Sequence, residues 1–257
     1  MRKVRKLYDN ESLAGWEGHL GRFWNSKGGE IVGASPGGHP GGHPAASTYL
    51  STTTHHRNFR LLFECKVSGD SCIHSGVGIW GSRYTYKDEE HSYQGHLVMV
   101  HKADSTGTWN DTDWGLFELY RRGWATGSVS GAWCPNGGQS DGTVAAQRHQ
   151  DGWHRLEILA VEDRIQVALN GVAIADYRDP DPSLVPREGG PIALQLHWLS
   201  FPLMPWEECR KDQEVRFRGL VLIDDPTTNH LVSVDHVGPT ERSTSTADNY
   251  LAFLRNQ

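Results

Sequence analysis

The sequence predicts an all-β protein, an antiparallel β-sandwich of the jelly-roll kind. Three observations indicate this fold: many short segments alternate apolar and polar residues, Gly and Pro turns separate them, and helical periodicity is almost absent. The chain has 257 residues and 37% hydrophobic content, which is enough to bury one substantial core. We therefore expect a single sandwich domain over residues 1–225 and a C-terminal tail over residues 226–257.

The individual strands follow from the period-two pattern. The segment from Phe59 to Val67 alternates except at Leu62 and should form a half-buried strand. A three-stranded meander is expected over residues 153–161, 164–169 and 172–177, and Asn170-Gly171 is its strongest hairpin signal. Further strands are expected over residues 76–80, 96–101, 115–119, 192–198 and 214–223.

The tail is polar and contains the one segment that favours a helix, residues 247–256, which follow Ser and Thr caps. Three roles are open for this tail: a clasp on the sandwich, a dimer contact, or a disordered segment.

Charge and hydropathy exclude two classes of partner. The formal charge is -6, from 31 acidic and 25 basic residues, and no Lys/Arg stripe suited to a nucleic-acid backbone is present. No apolar run approaches about 18 residues, and none follows the basic residues 2–6 as a signal peptide would require. We expect neither nucleic acid nor membrane as a partner. The location is left open between the cytoplasm and, after processing, the periplasm. The sequence specifies no oligomeric state.

The four cysteines lack CxxC spacing and are too sparse for a disulfide framework. Buried free thiols are favoured over a bridge between Cys65 and Cys72 across a hairpin.

Three histidine-containing segments suggest metal sites, and each has a simpler interpretation. His39 and His43 are four residues apart in a Gly/Pro-rich segment, where a loop at the substrate rim or a linker is favoured over a metal site. His55-His56 places neighbouring side chains on opposite faces of an extended chain, so at most one serves a site. The run 88–91, Asp-Glu-Glu-His, could bind Ca²⁺, but a solvated turn is favoured.

Amide and imidazole side chains stand inside two apolar strand segments, residues 92–97 and 191–197. Because alternate residues of a strand share a face, Gln195 and His197 should lie on one face of their strand. Ile192, Leu194 and Leu196 should lie on the other. Burying such groups without partners is costly, so the two strands are expected to line a wet groove.

Common catalytic motifs are missing from the sequence. It contains no Ser-centred elbow, no phosphate loop, no HExxH helix and no E-x-D-x-E strand of the kind that positions two carboxylates for a double displacement. The remaining polar set suits proton transfer and oxyanion stabilisation and consists of Gln94, His96, Glu118, Arg121, Gln195, His197, Arg216 and Arg218.

A series of short segments, in order over roughly residues 7–224, resembles the 3-keto-disaccharide hydrolase domain family. The segments are Leu7-Tyr8-Asp9, Leu13-Ala14-Gly15-Trp16, Gly29-Glu30-Ile31-Val32-Gly33, Tyr49-Leu50, Asn58-Phe59-Arg60-Leu61, Ser75-Gly76-Val77-Gly78-Ile79, Tyr93-Gln94, Trp114-Gly115-Leu116-Phe117-Glu118, Arg121-Arg122, Trp153, Leu169-Asn170-Gly171, Ile192-Ala193-Leu194-Gln195-Leu196-His197 and Val215-Arg216-Phe217-Arg218.

The resemblance implies a concanavalin-like jelly roll that acts on glycosides already oxidised to a ketone at C3. The ketone acidifies the hydrogen on C2, so a base can abstract it, the aglycone on C1 can leave by elimination, and water can then add. His197 is the expected base, Gln195 or Arg218 would hold the oxyanion, and Glu118 or His96 would protonate the leaving oxygen. The side chains expected to bind the substrate are Gln94, Gln195, Arg121, Arg218, Trp114 and Trp198.

Two departures from the family pattern concern the site. The chain has Tyr93-Gln94-Gly95-His96 where many members have Tyr-Gln-Ala-Asp, and Trp80 stands where Arg is usual. At position 96 an Asp carboxylate, which only accepts hydrogen bonds, is thus replaced by an imidazole, which can also donate. A role of this Asp in the family, including metal ligation, does not carry over directly to His96. No cofactor is specified, and a divalent metal at His39, His43, His96 or His197 is left open. The alternatives are a non-catalytic carbohydrate-binding sandwich and a different hydrolytic activity.

Overall fold

The structure, a computed structural model, describes residues 4–35, 47–68, 74–86, 89–101, 116–119, 132–133, 153–179, 182–197 and 213–234. Its strands are β1 (Val4–Lys6), β2 (Trp16–Glu17), β3 (Trp24–Lys27), β4 (Glu30–Ser35), β5 (Ser47–Thr52), β6 (Phe59–Ser68), β7 (His74–Tyr86), β8 (Glu89–His101), β9 (Leu116–Leu119), β10 (Ala132–Trp133), β11 (His154–Val161), β12 (Arg164–Leu169), β13 (Val172–Arg178), β14 (Ala193–His197) and β15 (Gln213–Asp224).

Helical structure in the described residues is limited to a short 3-10 helix, Pro182–Leu184. The helix predicted over residues 247–256 lies outside the described part of the chain. Within that part, no helix has the length and apolar character needed to cross a membrane.

The strands form two antiparallel sheets, as the jelly-roll prediction requires. The first sheet has the order β13-β12-β11-β6-β15-β4-β3, with β1 paired to β15, and the second has the order β10-β9-β8-β7-β14-β5-β2. Every pairing between these strands is antiparallel. The all-β sandwich prediction is confirmed, and strands β1 to β5 and β10 are additions that the sequence pattern did not reveal.

One hydrophobic core fills the space between the sheets. Phe59 and Phe217 of the first sheet and Ile79, Trp80 and Leu194 of the second are fully buried in it. Full burial of an aliphatic or aromatic side chain contributes roughly 1.5–3 kcal/mol, so this layer is the main stabilising element. It also decides which residues of each strand face outward.

The Asn170-Gly171 hairpin forms as predicted between β12 and β13. Both residues have positive φ, 50° and 85°, as a two-residue turn with left-handed central residues requires. Asn170 Oδ1 also accepts a hydrogen bond from the backbone N–H of Arg155 at 2.9 Å, which ties the turn to β11.

Strand β6 differs from the expected half-buried strand because its first five residues are all buried, including Arg60 and Leu62. Arg60 lies on the outer face of the first sheet, donates to Glu157 Oε1 at 2.8 Å, and also donates to Thr228 and to the backbone carbonyl of His230. Residues 228–234 therefore lie over this face. The described part of the tail packs on the sandwich as a clasp.

Cys65 is a buried free thiol within the core, as predicted. Burial raises the pKa of this thiol, so it is held in the protonated form. Cys72, Cys134 and Cys209 lie outside the described residues.

His56 joins the first strand to the last. Its Nδ1 lies 3.1 Å from Arg5 and 3.2 Å from Asp224, and its Nε2 lies 3.0 Å from the Thr54 hydroxyl. Burial lowers the pKa of His56 below the ordinary value of 6.5, against the opposing hydrogen bond with Asp224. The neighbouring His55 is exposed, so the two imidazoles do not share a site.

We predict that Glu157→Ala lowers the free energy of unfolding by roughly 3–5 kcal/mol, because it leaves the buried Arg60 charge unpaired. The same change removes the acceptor for the backbone N–H groups of Val232 and Ser233. Urea denaturation measures the first effect, and faster proteolysis within residues 225–234 reports the second. Glu188→Ala, at an exposed carboxylate, is the control; equal stability of the two variants would contradict the prediction.

A second prediction concerns pH. The unfolded chain protonates His56 below pH 6.5 whereas the folded chain resists protonation, so stability should fall as pH decreases below that value. His56→Gln should make the unfolding free energy depend less on pH between about 7 and 5. His55→Gln should keep the slope of the unaltered protein, and an unchanged slope in His56→Gln would refute the assignment.

Candidate functional site

The outer face of the second sheet carries the group of residues that we call the Gln195 face. The core holds the alternate residues of its strands, such as Leu50, Val98 and Leu194. The opposite positions therefore point away from the core. The Gln195 face consists of Ser47, Tyr49 and Ser51 of β5, Ala193 and Gln195 of β14, and Tyr93, Leu97 and Met99 of β8.

Gln195 is the polar centre of this face and is 2% exposed. Its Nε2 donates to the Tyr49 hydroxyl at 2.8 Å and to the Ser47 hydroxyl at 3.0 Å. This bonding follows from the register, which pairs Gln195 with Tyr49 across β14 and β5. The amide is thus fixed by the two hydroxyls.

Two buried polar atoms on this face have no hydrogen-bond partner, Gln195 Oε1 and Ser51 Oγ. A buried polar group left unpaired costs roughly 1–3 kcal/mol. A ligand hydroxyl or an ordered water that reached these atoms would remove that cost. The face therefore has unused hydrogen-bonding capacity within a buried layer: apart from Ser47, its members are at most 7% exposed.

Glycines in the central strand β7 leave room for the aromatic part of the face. A Cβ on Gly78 would lie 2.7 Å from the Tyr93 ring, and one on Gly76 would lie 2.5 Å from Leu97. Tyr93 can thus lie across β7, where its hydroxyl donates to the Pro191 carbonyl at 3.1 Å. The Tyr49 and Tyr93 rings are 5.6 Å apart, and both are buried.

His96 lies on the other side of the same sheet. It is fully buried, its Nε2 is 3.1 Å from Asp179 Oδ2, and its ring packs 5.5 Å from that of Tyr177 in the first sheet. The sheet therefore separates the imidazole from Gln195. This placement corrects the expectation that His96 and Gln195 meet at one groove.

Gln94 is also separated from Gln195. It follows Tyr93 in β8, so alternation turns it toward the opposite side, and its Nε2 donates to the Ser82 hydroxyl at 2.9 Å. The structure does not bring the two glutamines together.

Arg218 lies on the outer face of the first sheet. Its Nε donates to Glu64 at 2.6 Å and its guanidinium stacks 3.8 Å from the centroid of the Trp153 ring. Burial raises the pKa of Glu64, but hydrogen bonds from Arg155 and Arg218 outweigh it and lower the pKa overall. The core lies between Arg218 and Gln195, so only one of these two alternatives for holding the oxyanion can contact a sugar on the Gln195 face. Arg216 pairs with Glu30 and Glu214 on the same outer face.

Two predicted catalytic residues are described by their strand positions only. His197 ends β14, opposite Ser47, and Glu118 lies in β9, opposite His96. Trp114, Arg121 and Trp198 lie outside the described residues, as do His39 and His43. Their roles stay predictions.

Sequence reasoning missed Ser47, Ser51 and the two tyrosines as site residues. The signal was present: Ser47, Tyr49 and Ser51 alternate around Leu50, which is the pattern of a strand with a polar face. Tyr49 and Tyr93 also belong to the segments that carry the family resemblance.

Solved structures share the fold. A structure described as a native glycosidic hydrolase has a TM-score of 0.54 and 13% identity, and the match covers 87% of this chain and 95% of that chain. The β-glucanase of Bacillus licheniformis has a TM-score of 0.51 and 10% identity, with coverage of 88% and 98%. No curated protein matches the sequence significantly.

A family model gives the more specific comparison. The model described as the 3-keto-alpha-glucoside-1,2-lyase-like domain matches residues 3–222, which is most of the chain. The match includes residues of every strand and the whole Gln195 face. The protein belongs to the 3-keto-alpha-glucoside-1,2-lyase-like domain family.

Proposed function

We propose that this protein is a carbohydrate-active enzyme that cleaves 3-keto-glycosides, with the sugar ring bound at the Gln195 face. The family match over residues 3–222 is the observation that carries the proposal. The two unpaired buried oxygens beside Tyr49 and Tyr93 support it, because a sugar combines hydroxyl groups with an apolar ring face.

The reaction follows from the acidity that a C3 ketone confers on C2. A base removes the C2 hydrogen, and the electron pair is delocalised onto the ketone oxygen as an enolate. The enolate then reforms the ketone and a C1–C2 double bond as the bond from C1 to the aglycone oxygen breaks, and that oxygen takes a proton. Water can add across the double bond, with its hydroxyl on C1 and a proton on C2.

His197 is the proposed base. Its strand position is two residues beyond Gln195 and opposite Ser47, at the edge of the Gln195 face. An imidazole has a pKa near neutrality, so it can act as the base that accepts a proton from carbon.

Gln195 is the proposed positioning group. With both N–H groups taken by Tyr49 and Ser47, its Oε1 is available to accept a hydrogen bond from a sugar hydroxyl. Rotation of the amide by half a turn would instead present the NH₂ to a ketone or enolate oxygen, since both hydroxyls can also donate. His96, bonded to Asp179 inside the core, has no part in this scheme.

A non-catalytic carbohydrate-binding function is the second candidate. The side chains that the structure describes on the Gln195 face are an amide, hydroxyls, phenol rings and apolar groups, with neither a carboxylate nor an imidazole among them. Such a set is sufficient to bind a sugar.

A comparison of a 3-keto-glucoside with its unoxidised parent tests the function. We expect release of the aglycone from the keto compound alone, measured by chromatography. His197→Ala should lower kcat by about 10²–10⁴-fold while the folded protein still binds the keto compound. His55→Ala is the matched control. Binding of the keto compound without any release would favour the second candidate, and full activity in His197→Ala would remove this residue from the mechanism.

The role of Gln195 is tested with Gln195→Met, a substitution of similar volume. It removes the polar atom that we expect to bond the sugar, so kcat/KM should fall about 10- to 100-fold, the value of one or two hydrogen bonds. The temperature of thermal unfolding should change little. The substitution loses the bonds to Tyr49 and Ser47, but it also removes a buried oxygen that has no partner, and the two effects oppose each other. Gln166→Met, on the first sheet, is the control; a variant of Gln195 with unaltered kcat/KM would place the substrate elsewhere.

A further inference from the structure

A second polar cluster lies at the start of β8, away from the Gln195 face. The sequence favoured a solvated turn over residues 88–91, but Glu89 begins the strand and is only 2% exposed, so that interpretation is wrong for Glu89. Its carboxylate oxygens lie 3.0 and 3.2 Å from His19 Nε2. The backbone N–H of His91 also donates to it at 2.8 Å.

Three potential ligand atoms converge beside Glu89. One ring nitrogen of His19, one of His91 and a carboxylate oxygen of Glu90 all lie within 4.8 Å of one another. The two imidazole rings meet edge to face, with centroids 4.6 Å apart. We infer that His19, Glu90 and His91 form a binding site for a borderline divalent transition-metal ion of the Zn²⁺ type.

The donor set decides the class of ion. Two imidazole nitrogens and one carboxylate oxygen suit Zn²⁺ and its neighbours, whereas Ca²⁺ and Mg²⁺ prefer oxygen ligands only. This distinguishes the site from the Ca²⁺ alternative that the acidic run suggested.

The geometry is close to what a tetrahedral ion needs. Ligand atoms about 2.0–2.1 Å from Zn²⁺ are roughly 3.4 Å from one another in a tetrahedral site. His91 Nε2 and Glu90 Oε1 are 4.0 Å apart, and the Glu90 side chain is 71% exposed. Rotation of this exposed carboxylate can close the site without moving the strand.

Glu89 acts on the site through His19. A metal-bound imidazole usually donates its other ring N–H to a carboxylate, which fixes its tautomer and orientation. Glu89 is placed to accept that hydrogen bond from His19 Nε2, which assigns Nδ1 to the ion, and the burial of Glu89 restricts its own movement. The two carboxylates of Glu89 and Glu90 also supply negative charge beside the imidazoles, which favours a cation.

The bound ion would join segments that are distant in sequence. His19 lies in the turn after β2, and its hydrogen-bond partner Glu89 is 70 positions further along the chain. An ion that binds only the folded arrangement stabilises it in proportion to RT ln(1 + [M]/Kd). The site is therefore a structural clamp, and its existence does not depend on the proposed enzymatic function.

Titration of the chelator-treated full-length protein with Zn²⁺ tests the inference. Isothermal titration calorimetry should show binding that Glu90→Gln and His91→Gln each weaken at least 10-fold. Thermal unfolding of the unaltered protein should shift upward with Zn²⁺, and both variants should lose most of that shift. Replacement with Co²⁺ should give the visible absorption bands of a low-symmetry site in the unaltered protein alone.

The controls compare this site with an exposed histidine outside it. His55→Gln removes an exposed imidazole outside the cluster and should bind Zn²⁺ as the unaltered protein does. Glu90 is exposed, so Glu90→Gln keeps the test valid even where His91→Gln alters stability. Absence of Zn²⁺ binding, or equal affinity in the unaltered protein and both variants, would overturn the inference.

Discussion

The alternation of side chains across the second sheet is the constraint on which the rest of the structure depends. Leu194 and Leu196 are fully buried between the sheets, so the residue between them must face outward. A shift of one position would bury the Gln195 amide among aliphatic side chains and expose two leucines. Core packing thus specifies which side chains form the Gln195 face.

Two buried polar pairs also connect the layers. His96 of the second sheet meets Asp179, which follows the last strand of the meander in the first sheet. Arg60 and Glu157 do the same for the outer layer, joining two neighbouring strands to residues 228–233. Removing one partner leaves a buried charge or dipole unpaired. Such pairs therefore favour one relative arrangement of the layers and also contribute to the stability of the fold.

The Gln195 face combines incompletely bonded polar groups with aromatic rings. Gln195 Oε1 and Ser51 Oγ are buried without partners, beside two tyrosine rings and above a glycine-rich strand. A protein interior normally avoids such atoms, and sites that bind ligands are common exceptions. This combination, within a family of 3-keto-alpha-glucoside-1,2-lyase-like domains, is why we propose that the sugar binds at this face.

The sequence by itself determined the fold class, the Asn170-Gly171 hairpin and the outward position of Gln195, because strand periodicity and turn chemistry are local properties. Only the tertiary structure decided which elements cover which face. An alternating pattern does not distinguish a covered outer face of a sheet from an open one. The burial of Arg60 under residues 228–234 therefore could not be predicted from the sequence. The separation of Arg218 and His96 from Gln195, and the meeting of His19 with Glu89, likewise depend on how the two sheets are stacked and connected.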